Sequence, residues 1–218
     1  MDNIGTKFLP EEMVQLLEST DEDDLNIFFR KAGFHEDSPT VEIELSSIPN
    51  YSDNIVKQQW RIEILAQKAG KIHLEITDTI QLLDDHPLLW EFNDVCTSLY
   101  FHGDGEKLIQ LFPELYRIHY DTFQNYLPFR KFLNDTLELQ TLLRSGNGLL
   151  ASGPKKYIEK FSECFISEGI EHSLVGEREP KFWNGNSYVS QRVPVKVLII
   201  GNSYLIAENF SFEKILRE

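Results

Sequence analysis

The sequence predicts an α+β protein: an antiparallel sheet with helices packed on one face, plus a smaller C-terminal β-α-β-β-β sub-domain. Three observations carry this prediction. Three runs between residues 41 and 76 alternate apolar and polar side chains with period two, the mark of strands buried on one face. Two stretches, 10–33 and 105–143, space their apolar residues as helices do. After residue 148 strand patterns return around a single amphipathic helix. The expected organisation is a helical hairpin over 1–34, an α+β core domain over 35–144 and a C-terminal α/β sub-domain over 148–218.

The first helix opens at Pro10 with Glu11 and Glu12 in its first turn, a pattern suited to a helix start, and Met13, Leu16 and Leu17 line one face. Thr20 or Asp21 can cap a second helix that ends at Gly33 after Arg30 and Lys31. Val41, Ile43 and Leu45 then alternate with Glu42 and Glu44. Trp60, Ile62, Ile64 and Ala66 do the same, and so do Ile72, Leu74 and Ile76 against His73 and Glu75. "KAGK" at 68–71 reads as the tight turn of an antiparallel pair. "SLYFHG" at 98–103 is a fourth strand. A helix follows through Leu108, Leu111, Leu115, His119 and Phe123, interrupted by Pro113, and helical spacing resumes to about residue 143. "SGNG" at 145–148 is the best linker. Beyond it lie a short strand, a helix with Tyr157, Ile158, Phe161, Cys164 and Phe165 on its apolar face, a stop at Gly169, and the strands "IEHSLV", "VPVKVLII" and "SYLIAENF".

With 218 residues the chain has room for one large domain or two small ones. No apolar run approaches the roughly 20 residues that cross a bilayer; the longest is "VKVLII" at 195–200. Residues 1–12 lack the basic start and apolar stretch of a signal peptide. Cys96 and Cys164 stand far apart and read as reduced thiols. The expectation is a cytoplasmic protein that crosses no membrane. The net charge of −14 argues against nucleic acid, because affinity for phosphate backbones rests on Lys and Arg displacing counterions. The same charge favours a basic protein partner.

None of the phosphate-loop, dinucleotide, zinc-protease or nucleophile-elbow signatures occurs in the sequence. "HGDGE" at 102–106 reads as a polar turn opening a helix. "SGPKK" at 152–156 sets backbone N–H groups and two lysines at a helix start, where anions can bind. The densest polar cluster is "DDHPLLWEFND" at 84–94. Asp84, Asp85 and His86 could serve acid–base or metal chemistry, yet Asp85 as a helix cap and Pro87 inside the turn explain the whole stretch as a corner. No metal and no cofactor is expected. The function expected is a non-enzymatic interaction module, of immunity or antitoxin type, binding a basic protein. Its contact residues would be Asp21, Glu22, Asp23 and Asp24, with Tyr116 and Tyr120 as aromatic rim. The alternative is an enzyme or small-ligand protein with a pocket near Asp85, His86, Trp90 and His102.

Overall fold

The computed structural model describes residues 4–33, 39–50, 54–103, 105–135, 141, 144–183, 186–190 and 194–216. The protein is α+β, with antiparallel sheets and helices, as the alternating and helical patterns predict. It divides into two compact units: Met1–His86 together with Pro194–Glu218, and Pro87–Val193.

In the first unit, helix α1 (Glu11–Glu18) buries Met13 and Leu16. The expected second helix is a strand. Glu22–Asp24 form a single 3-10 turn, and the chain then extends as β1 (Leu25–Gly33). Leu25 and Ile27 point into the core while Asn26 points out, so period two wins over helical spacing here. Asp21 makes no side-chain cap bond. Strands β2 (Thr40–Ser47), β3 (Val56–Lys71) and β4 (Ile80–Leu83) follow. β3 runs straight through "KAGK", which is therefore not a turn.

The second unit holds α2 (Trp90–Asn93), β5 (Cys96–His102), α3 (Gly105–Phe123), β6 (Asn147–Pro154), α4 (Lys155–Ser167), β7 (Glu171–Arg178) and a small hairpin of β8 (Phe182–Trp183) and β9 (Tyr188–Val189). Its sheet has the order β6-β5-β7, with both outer strands antiparallel to β5. α4 packs against all three strands and buries Tyr157, Ile158, Phe161, Cys164 and Phe165. Gly169, at φ 63°, ends it: the N–H of Ile170 donates to the Phe165 carbonyl and that of Gly169 to Ile166. α3 continues through Pro113, which sits on the solvent side beside exposed Ile109. Helical structure does not resume directly after α3. The chain makes one 3-10 turn at Phe129–Lys131, and Leu133 then bridges Ala151 of β6. Residues 136–140, 142 and 143 of the expected helix lie outside the described residues. "SGNG" leads directly into β6, where Asn147 pairs with His102, so the boundary expected at 145–148 falls inside one compact unit.

The last two strands, β10 (Lys196–Ile200) and β11 (Ser203–Lys214), return to the first unit. They complete a six-stranded antiparallel sheet of order β1-β2-β3-β11-β10-β4 instead of closing a separate C-terminal sub-domain. Where β3 meets β11 the register slips by one residue between Ile206 and Ala207, close to Ala66, which has φ 54°. A one-residue slip sends the later side chains of the paired strand to the opposite face. Val41, Ile43, Leu45, Trp60, Ile62 and Ile64 are buried as the alternation predicts; past the end of β3, Ile72 still packs against the core but Leu74 and Ile76 are exposed. One bridge joins the two edges of the sheet, with Ile27 N–H donating to Thr77 at 2.7 Å and Thr77 N–H to Ile27 at 3.0 Å. Among the described residues no helix is long and apolar enough to cross a membrane.

Candidate functional site

The 84–94 stretch is a corner whose residues belong to both units. Asp84 and Asp85 are exposed after β4, and His86 is half-buried. Burial lowers the His86 pKa and the Asp85 charge partly restores it. Pro87–Leu89 form a 3-10 turn that buries Leu88 and Leu89. In the second unit Trp90 packs edge-on against Phe123 at 6.2 Å, with the ammonium groups of Lys156 and Lys160 5.8 and 5.6 Å from its ring centre. His102 stands exposed at the far end of β5, paired with Asn147 and Glu171. Among the described residues no three His, Cys, Asp or Glu side chains are placed to hold a metal ion.

The carboxylate that caps a helix from this stretch is Asp94. It accepts the Lys156 N–H at the start of α4, at 2.9 Å, and the Lys155 N–H donates to the Val95 carbonyl at 2.7 Å. Pro154 precedes α4 without a side-chain acceptor, so a residue remote in sequence supplies one. The helix start that "SGPKK" offered to an anion is thus occupied by the protein's own carboxylate. Nothing local marks Asp94 for this task; its partner lies 62 positions away.

Other polar groups are consumed by the fold. His119 is buried: its Nδ1 lies 3.0 Å from the Tyr157 hydroxyl and its Nε2 2.9 Å from the Leu127 carbonyl. The carbonyl can only accept, so Nε2 carries the proton and Tyr157 donates to Nδ1. Burial holds the His119 pKa down and pushes that of Tyr157 well up. Burial likewise raises the pKa values of Cys96 and Cys164, with nearby acids adding to it, which disfavours the thiolate either would need as a nucleophile.

The acids expected to meet a partner are exposed. Asp21, Glu22, Asp23 and Asp24 occupy the turn between α1 and β1, and Glu18 is exposed just before them. The turn is tied to the loop after β2. Asn50 N–H donates to Ser19 at 2.7 Å, Ile48 N–H to Asp24 at 3.2 Å, and the Asn50 amide to Asp21 at 3.4 Å. Among the described residues none of these five acids is in an ion pair, whereas Glu12, Glu42, Glu44 and Glu213 in the same unit each have a cation. Ile48, 38% exposed, lies beside the ridge. Tyr116 and Tyr120 are exposed on α3 in the second unit, Tyr116 edge-on to Phe129 at 5.5 Å. Between them Arg117 is shared by Glu114 and Asp121. A groove of about 830 Å³ between α3 and α4 is lined by charges of both signs, among them Lys107, Lys160, Glu163 and Glu168.

No protein-family model, no curated protein and no solved structure matches the chain.

Proposed function

We propose that this protein is a non-enzymatic interaction module of the cytoplasm that binds a basic protein partner through an acidic surface, in the manner of an immunity or antitoxin protein. One observation carries the reading: the Glu18–Asp24 ridge keeps five exposed acids without an ion pair among the described residues. Like charges held together cost folding free energy, and a ridge tied in place by Asn50 and Ile48 retains that cost. A basic partner relieves it on binding. The acid excess behind the net charge of −14 also falls mostly on the first unit, which carries about two acids for each base. Such a field accelerates encounter with a cationic surface and turns nucleic acid away.

The test is surface-capture kinetics with a partner drawn from native lysate, at two salt concentrations. Asp21, Asp23 and Asp24 are changed to Asn and Glu22 to Gln together. The on-rate should fall with salt and with neutralisation while the off-rate changes less, as rim charges behave. An on-rate indifferent to both refutes the reading.

A further inference from the structure

The β3–β4 connection breaks the rule that apolar side chains face inward. Leu74 is 85% exposed and Ile76 69% exposed, while Glu75 between them is turned to the protein. The arrangement is held in place. The Glu75 carboxylate accepts the Asn202 backbone N–H at 2.9 Å and the Asn202 amide at 3.3 Å, and His73 N–H donates to the Ser203 hydroxyl at 2.9 Å. The turn between β10 and β11 therefore grips this segment with its apolar side outward. Phe28 and Phe29 of β1 join Leu74, Glu75 and Ile76 around a shallow depression of about 300 Å³.

The depression lies where the two sheet edges part. Among the described residues they are joined by backbone bonds at Ile27 and Thr77 alone. Past that bridge β1 continues from Phe28 to Gly33, with a register shift against β2 between Phe29 and Lys31, so regular alternation from Ile27 reaches Phe29. Residues two apart in a strand direct their backbone groups to the same side. Phe29 thus aims its N–H and C=O into the gap, as Ile27 aims its own at Thr77. An apolar depression beside an open backbone edge has the shape and chemistry of a strand-addition site.

We propose that the notch between β1 and residues 72–77 receives an extended segment of a partner protein, apolar at alternate positions and acidic where it passes Lys31. The backbone edge selects an extended chain, and Phe28, Leu74 and Ile76 select apolar side chains on one of its faces. Lys31, exposed and in no ion pair among the described residues, selects the acid, whereas Arg30 already pairs with Glu44 at 3.4 Å. A second copy is a poor occupant, because pairing β1 with another β1 brings the Lys31 of both copies to one edge. The site lies beyond the acidic ridge and does not depend on it.

The probe is a synthetic heptapeptide of alternating valine and threonine with glutamate at each end, titrated into the isotopically labelled full chain. Amide shifts should saturate and concentrate on residues 28–33 and 72–77, with slower hydrogen exchange at Phe29. Leu74→Asp with Ile76→Asp should weaken binding at least about tenfold, as loss of an apolar anchor does. Both side chains are exposed, so the fold should survive, which an unchanged spectrum elsewhere checks. A lysine-ended peptide should bind more weakly, and one with a central proline should not bind. Binding of the proline peptide equal to the parent's, shifts confined to other regions, or no saturation at millimolar peptide would each overturn the proposal. The ridge-neutralised variant should bind the heptapeptide as the parent does, so failure of the ridge and failure of the notch are separate results.

Discussion

Replacing Asp94 tests the trans cap directly. Asp94→Ala removes the acceptor for the Lys156 N–H and the only carboxylate hydrogen-bonded to the backbone at the start of α4 among the described residues. Loss of a capping side chain costs about 1 kcal/mol. A carboxylate at the positive end of a helix contributes about 0.3–1 kcal/mol more. The site is partly exposed, so the lower part of that range applies, and Asp94→Ala should cost about 1–1.5 kcal/mol in total. Asp94→Asn keeps an acceptor oxygen and loses only the charge, so about 0.5 kcal/mol is expected, shrinking at high salt. Urea unfolding followed by tryptophan fluorescence measures both, since Trp90 stands beside Lys156 and Lys160. The Ala variant also uncovers an N–H at a helix start, so sulfate should stabilise it more than it stabilises the parent. An Ala variant as stable as the parent, or an Asn variant as unstable as Ala, would refute the assignment.

Two further outcomes are expected. His119→Phe leaves the Tyr157 hydroxyl and the Leu127 carbonyl without their partner and should cost about 2 kcal/mol at pH 8. Because burial lowers the folded-state pKa of His119, its neutral ring contributes fully above the ordinary imidazole value of about 6.5 and loses that contribution as pH falls below it. Urea midpoints from pH 8 to 5 should therefore drop more in the parent than in the variant, half-buried His86 contributing to both; equal drops would contradict this. Ala66→Gly should raise the unfolding free energy by about 0.5 kcal/mol, since an alanine at φ 54° bears a left-handed strain that glycine lacks, partly offset by chain entropy; a clear loss on thermal unfolding would show that the bend at Ala66 is not strained.

The local patterns in the sequence were sound wherever one face is buried and one is wet. Val41 to Leu45 and Trp60 to Ile64 are strands with the predicted apolar face buried, although Glu44 on the opposite face is buried too, and the amphipathic helix 155–167 stops at the glycine that marks its end. Failures came where a distant partner decides. "LNIFFRKAG" carries helix-compatible residues, but pairing with β2 and the bridge to Thr77 hold it extended. Leu74 and Ile76 lie past the end of β3, where the distant turn at Asn202 and Ser203 holds Glu75 and His73, so their outward turn is invisible to alternation alone. The fate of residues 194–214 is also nonlocal: β10 pairs with β4, Val197 opposite Leu83, and all of 87–193 fills what a short hairpin turn would otherwise span. A loop of that size costs only about 3 kcal/mol more to close than a five-residue turn even when flexible, because the cost grows with the logarithm of length. No composition change announces such an insertion. The acidic turn and the exposed tyrosines were legible as surface, while the Asp94 cap and the notch exist only once the chain has folded.

The ridge and the notch lie at opposite ends of one element. Asp24 immediately precedes β1, and the open edge begins at Phe28. Four strand steps separate them, about 13 Å at the usual rise, so a single partner can touch both. Their contributions to binding differ in kind. Exposed charges act over about 8 Å at physiological salt and before contact, so the ridge governs encounter. Backbone pairing and apolar contact in the notch form only after docking, so they govern residence. A partner using both surfaces is basic overall and carries an extended apolar segment with an acid near Lys31. For that partner, neutralising Asp21 to Asp24 slows association and leaves dissociation nearly unchanged, whereas Leu74→Asp with Ile76→Asp speeds dissociation and leaves the salt dependence of association intact. If both variants moved the same rate constant, the two surfaces would be acting as one, and the division of labour along β1 would be wrong.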